Sequence, residues 1–290
     1  MTQETASRDA ASQERQADLA GRRKILLGLG RGFGGALVFG LPMLMTMEMW
    51  WLGFYMDRFR LALLLVMNMP LLVLLSHHSG FEPTSSWYDD LRDMAIAYGI
   101  GILVSLVVLA TFGIITYRMP VDEIVGKVAL QAVPASIGAV LGRSQLGGSE
   151  MEPAQETEQV NYASELFIMA VGALFLSLNV APTEEMVLIS YHMTQWHALM
   201  LMVLSIVLMH MFVYALEFRG TEPSLPADTP LWSAFLRFTV TGYAIALLIS
   251  LYVLWTFGRT DGAALMQVAM AAIVLGFPAA IGAAAARLIL

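Results

Sequence analysis

Apolar runs of about twenty residues recur along nearly the whole chain, and nothing else limits its fold so strictly. A helix rises about 1.5 Å per residue, so each run matches the roughly 30 Å hydrocarbon core of a bilayer. Charged residues make up only 13% of the chain, about half their share in a soluble domain. The apolar blocks are long and rich in Leu, Met and Ala, without the ten-residue alternation of a membrane β-barrel. The fold class is therefore all-α integral membrane, with about eight transmembrane helices. Expected spans are 24–49, 59–76, 91–117, 121–146, 163–180, 196–216, 231–257 and 263–290.

The second constraint is an internal repeat. Gly35 to Met49 (GALVFGLPMLMTMEM) aligns without a gap to Gly172 to Met186 (GALFLSLNVAPTEEM) at an offset of 137, with seven of fifteen positions identical. Trp87 to Gly113 matches Trp232 to Gly258 at offset 145, with 13 of 27 identical. Pro134 to Arg143 matches Pro278 to Arg287 at offset 144, with six of ten. The expected organisation is a polar cytosolic tail over 1–21, a first repeat over 22–146, an acidic linker over 147–162 and a second repeat over 163–290. Such duplication is common among transport proteins. Four spans per repeat makes the copies parallel, related by a pseudo-two-fold axis along the membrane normal. Basic residues divide 8 to 5 in favour of the amino-terminal side. By the positive-inside rule this predicts cytosolic termini. The stretches 24–56 and 163–193 are long enough to hide a broken or re-entrant segment.

Each copy of the opening motif breaks at a proline, Pro42 or Pro182, and then presents T-x-E-M, so that Glu48 and Glu185 occupy equivalent positions. A carboxylate at bilayer depth costs about 2.5–3.5 kcal/mol unless it is paired, protonated or facing an ion. Proline cannot donate to the preceding turn, which frees carbonyl oxygens. Glu48, Glu185 and Glu184, with hydroxyls from Thr46 and Thr183, are the candidate ion-binding or filter residues. Oxygen-only ligands suit a hard divalent cation at Glu48 and Glu185. Two close carboxylates could equally share a proton. The plainer reading is that T-E-E after a proline is an ordinary helix start at a membrane surface, where acids complement the helix dipole.

Pro134 and Pro278 are expected to kink their helices. Tyr98 and Ser105, like Tyr243 and Ser250, lie seven apart on one helix face and are candidates for lining a pathway or for interhelical hydrogen bonds. Arg143 and Arg287 close their repeats as candidate gates or headgroup anchors. His77, His78, His192, His197 and His210 read as interfacial or hydrogen-bonded structural residues. Asp89, Asp90 and Asp93 become Ala234, Phe235 and Phe238 in the second copy, which places them outside a symmetric site. With no cysteine, thiolate metal sites and disulfides are excluded. The twenty methionines suit flexible apolar packing. No basic cluster points to nucleic acid, and no hydrolase or P-loop motif emerges.

The paired repeat with NVAPTEEM (Asn179 to Met186) resembles a family of bacterial multi-pass inner-membrane proteins of unassigned function. Asn179, Pro182 and Glu184 or Glu185 also resemble the asparagine–proline–glutamate segment of calcium/cation antiporters. That second likeness implies cation binding in a broken helix and adds Asn179 to the candidate ligands. The expected function is cation translocation, channel-like or by exchange with protons. The expected partners are the bilayer, an inorganic cation or proton, and a second copy of the chain. No cofactor is expected beyond a bound divalent cation. The alternatives are a membrane sensor or scaffold that binds a soluble partner, and an integral-membrane enzyme acting on lipid.

Overall fold

The computed structural model describes residues 2–79, 87–145, 162–214, 232 and 235–289. The described residues are helical apart from short turns. The first half holds α1 (Thr2–Leu44), α2 (Met47–Tyr55), α3 (Arg58–Ser79), α4 (Trp87–Thr111) and α5 (Val121–Gln145). The second holds α6 (Tyr162–Val180), α7 (Glu184–His192), α8 (Gln195–Tyr214), α9 (Thr241–Thr256) and α10 (Leu265–Ile289), with a π-helical turn, Phe235–Val240, leading into α9. Eight of these helices are long and apolar enough to cross a membrane. The short helices α2 and α7 are each nine residues long. Residues 147–161 of the expected linker lie outside the described residues.

Two boundaries differ from expectation. The first span was expected to run to Met49, but α1 stops at Leu44 and a separate nine-residue helix begins at Met47. Pro42, inside the last turn of α1, has no amide proton to donate and so leaves the Val38 carbonyl without its helical partner. The Met45 amide still reaches Leu41 at 3.0 Å, and the helix ends after that bond. The span expected over 91–117 ends at Thr111. The repeated T-F-G is its stop signal. Gly113 and Gly258 adopt φ of 74° and 72°, the left-handed region that glycine enters without a Cβ penalty. The amides of Ile114 and Arg259 reach back to Leu109 and Leu254, at 2.9 and 2.8 Å. Pro134 and Pro278 lie inside α5 and α10, which continue through both.

Helix α5 is the axis of the first half: 83% of the residues across the most apolar part of its span are buried, and α1, α2, α3 and α4 all pack on it. Helix α10 has the same place in the second half at 61%. Glycine permits the closest of these approaches. A Cβ on Gly35 would collide with the Gly138 carbonyl and the Gly142 backbone, and one on Gly172 with the Gly282 carbonyl. Small-residue contact of this kind replaces the hydrophobic drive that helices lack in lipid. Gly35→Ala is therefore expected to lower the thermal midpoint in detergent, at an overpacking cost of about 1–3 kcal/mol. Gly99, where a Cβ meets nothing within 4 Å, is the control. Gly99→Ala should be neutral or slightly stabilising, because alanine is the better helix former.

The halves meet where α1 and α3 approach α6 and where α3 approaches α9. Phe39 of α1 and Phe175 of α6 pack edge to face, with ring centroids 5.1 Å apart.

Candidate functional site

The contacts along α5 set the depth of the first helix break. Arg31 lies against Gly142, Gly40 against Ala135, and Gly53 against Lys127. Gln131 donates through Nε2 to the Met43 carbonyl at 3.1 Å, beside the break between α1 and α2. Gln131 is the eleventh residue of the 22-residue span Val121–Gly142. The break thus sits near mid-depth of α5, about 15 Å from its start. Thr46 occupies the break, and Glu48 follows as the second residue of α2, half-buried.

The chain's own donors take several of the carbonyls at both breaks. Thr46 Oγ1 donates to the Pro42 carbonyl at 2.5 Å, and Trp50 Nε1 to that of Leu44 at 2.7 Å. In the second half Thr183 Oγ1 donates to Val180 at 2.7 Å, and Asn179 Nδ2 to Phe175 at 2.8 Å. The Pro182 carbonyl accepts Nη2 of Arg259. Glu184 and Glu185 open α7 and are exposed. Among the described residues no three His, Asp or Glu side chains gather as a metal site would require.

On α5 a polar stripe descends from the face where that helix begins. Glu123 Oε1 and Lys127 Nζ pair at 2.6 Å, with side chains 19% and 10% exposed. Lys127 also lies 3.9 Å from the Met119 sulfur. One turn deeper is Gln131, fully buried, whose Oε1 has no donor. Its orientation is forced: the Met43 carbonyl can only accept, so the amide nitrogen must face it. Residues four apart share a helix face, so Glu123, Lys127 and Gln131 form one column.

A second polar seam enters from the other face, between α3, α4 and α5. His77 Nδ1 lies 3.3 Å from Asp90 Oδ2, and Ser76 Oγ 3.4 Å from Asp93 Oδ2. Deeper, Tyr98 donates to the Leu65 carbonyl at 2.6 Å, and Asn68 Nδ2 to Ser136 Oγ at 3.0 Å. Ser136 spends its own proton on the Val133 carbonyl at 2.8 Å. Asn68 must then present Oδ1 elsewhere, and that atom has no donor. Ser105 Oγ is likewise buried without a partner. Tyr98 and Ser105 thus belong to this seam. Of their second-half counterparts, Ser250 donates to Ala246 at 2.7 Å and Tyr243 has a buried hydroxyl without a partner.

The second half lacks both stripes. At the repeat offsets Gln267, Ala271 and Leu275 replace Glu123, Lys127 and Gln131. Gln267 is used to bind Ser190 Oγ at 2.7 Å. At the Asp93 position stands Phe238, on whose ring Arg287 rests at 4.1 Å while its Nε pairs with Glu165 at 2.8 Å. Arg287 is therefore locked into the protein by a nearly buried carboxylate. The Arg143 side chain lies outside the described residues. Sequence reasoning missed Glu123, Gln131 and Glu165. The four-residue spacing of Glu123, Lys127 and Gln131, lost in the second copy, was the available signal.

A clamp joins the halves. Arg60 grips Asp261 through two 2.8 Å bonds, donates to the Trp255 carbonyl at 2.9 Å and stacks 4.9 Å from the Trp255 ring. The hydrogen bonds from Arg60 hold the Asp261 carboxyl below its usual range. A carboxylate depressed in the folded state lends stability that is present above the ordinary carboxylate pKa and lost as pH falls through its folded value. The melting temperature in detergent should fall on acidification. Asp261→Asn should lower it at neutral pH and remove part of that fall.

Residues 28–290 match the family described as "Putative integral membrane protein (DUF2391)". No curated protein and no solved structure matches the chain.

Proposed function

Because the chain belongs to that family of integral membrane proteins, we propose that it carries protons across the membrane through its first half. Two polar half-paths would approach each other on α5. The observation that carries this reading is the column Glu123–Lys127–Gln131, which ends in the donorless Gln131 Oε1, with Asn68 Oδ1 and Ser105 Oγ donorless along the other path. The donorless oxygens of the second half, Ser177 Oγ and the Tyr243 and Tyr252 hydroxyls, have no such column, because Gln267, Ala271 and Leu275 stand in its place. Left unmet, each such acceptor costs about 1–3 kcal/mol, and water or a migrating proton supplies the missing donor. Gln131 and Ser136, the partner of Asn68, are five residues apart, or about 7.5 Å along the helix.

Ionisable residues buried within spans mark proton and ion routes. Glu123–Lys127 guards one path, and Asp90, 2% exposed, guards the other. A proton suits groups that exchange hydrogen bonds and sit beside a lysine ammonium better than a divalent cation does. Glu48, with Glu184 and Glu185 at the equivalent place, would raise the local cation concentration. On a pseudo-two-fold arrangement the second half is a closed copy: the Arg259 guanidinium occupies the Pro182 carbonyl where a cation would bind.

The test is uptake of protons by liposomes containing the purified chain, with a trapped pH dye and a potassium diffusion potential. Flux should exceed that of protein-free liposomes and fall in Glu123→Gln and Asp90→Asn. Flux equal to that of empty liposomes, or unchanged in both variants, would sink the reading.

A further inference from the structure

We infer that the Lys127 ammonium has two stations, and that protonation of Glu123 sends it inward from that carboxylate to the amide oxygen of Gln131. The inference rests on the proposed proton path and assigns its moving part. Lys127 sits between two acceptors on its own helix face, Glu123 at i−4 and Gln131 at i+4. The outer station is filled at 2.6 Å. The inner one is a fully buried carbonyl oxygen whose amide nitrogen is already committed to Met43. Side chains on a helix lean toward its amino terminus, so Gln131 reaches back toward Lys127. The lysine stem has four rotatable carbons and can turn the other way.

The proton balance is simple. The Glu123 carboxylate takes a proton from hydronium at the outer face and becomes a neutral acid. The ion pair is lost, but Lys127 keeps its three protons and donates one hydrogen bond to Gln131 Oε1. One positive charge has then entered at Glu123 and another has moved one turn deeper. When Glu123 releases its proton, Lys127 returns.

The charged groups around this switch are few. Asp122 and Glu123 share its helix, and Arg118 lies in the turn before it. Glu48 comes from α2. Arg58 of α3 donates to the Gly53 carbonyl at 3.3 Å and lies 4.0 Å from Asp122. The charges of α1 and α4, at Arg31, Asp89, Asp90, Arg92 and Asp93, stand at the opposite end of α5.

The chain has two lysines, Lys24 and Lys127. In a Lys24→Arg background a ¹⁵N-lysine label reports Lys127 alone. Its ζ-nitrogen resonance should shift on acidification. Glu123→Gln should hold the shifted position at every pH. Adding Gln131→Leu to Glu123→Gln should move the resonance away from it, while Gln131→Asn should retain part of the shift. If Glu123→Gln and Glu123→Gln/Gln131→Leu give the same spectrum, Gln131 is not the inner station and the inference is wrong. This readout does not involve flux. A switch seen without flux would overturn the transport reading alone, and flux without the switch would overturn only this inference.

Discussion

Lys127→Met should destabilise the protein strongly. It leaves Glu123 without its 2.6 Å partner in a site where both side chains are mostly covered. Breaking a buried ion pair from one side costs about 3–5 kcal/mol, because the remaining charge has no compensation. Glu123→Gln should cost less, since Lys127 still has the Met119 sulfur within 3.9 Å and the Gln131 oxygen one turn away. The double variant Glu123→Gln/Lys127→Met removes both charges and should recover most of the lost stability, because an apolar replacement of a whole pair is often neutral. Thermal unfolding of the four proteins in one detergent closes this cycle. A double variant no more stable than Lys127→Met would show that lost packing against Gly53, and not the stranded carboxylate, sets the cost.

The same pair shows where sequence reasoning stopped. Hydropathy alone located eight spans, because helices in lipid must satisfy their backbone internally and so announce themselves by length. The duplicated T-F-G and glycine motifs were visible as identities. Their causes were not: a left-handed stop at Gly113 and Gly258, and backbone contact at Gly35 and Gly172, depend on partners more than a hundred residues away or on one φ angle. Identity between the copies drew the eye to Glu48 and Glu185. It turned attention from Glu123, Lys127 and Gln131, whose counterparts are Gln267, Ala271 and Leu275. Asp90 and Asp93 were set aside for the same reason, yet they stand at the mouth of the second seam. Residues identical in the two halves include Gly35 and Gly172, which sit at backbone contacts between helices. The column that ends in the donorless Gln131 Oε1 is a difference between the halves, whereas the donorless Ser105 Oγ and Tyr243 hydroxyl belong to residues that the halves share.

That asymmetry gives the largest expected effect on transport. Glu48→Gln should reduce proton flux at least about tenfold, equivalent to about 1.4 kcal/mol in barrier, whereas Glu185→Gln should change it little. Both glutamates follow a helix break, but the surroundings differ. Glu48 is half-buried on α2, the helix whose Gly53 rests against Lys127. The break before it is pinned by Gln131, which still has an open acceptor. Glu185 is exposed, and the break before it is closed by Arg259 on the Pro182 carbonyl, with Leu275 in place of Gln131. If the closed copy is closed because of that guanidinium, Arg259→Gln should make flux sensitive to Glu185→Gln where the parent protein is not. Equal losses for Glu48→Gln and Glu185→Gln in the parent protein would instead mean that both copies conduct, and that the polar stripe of α5 is not the route.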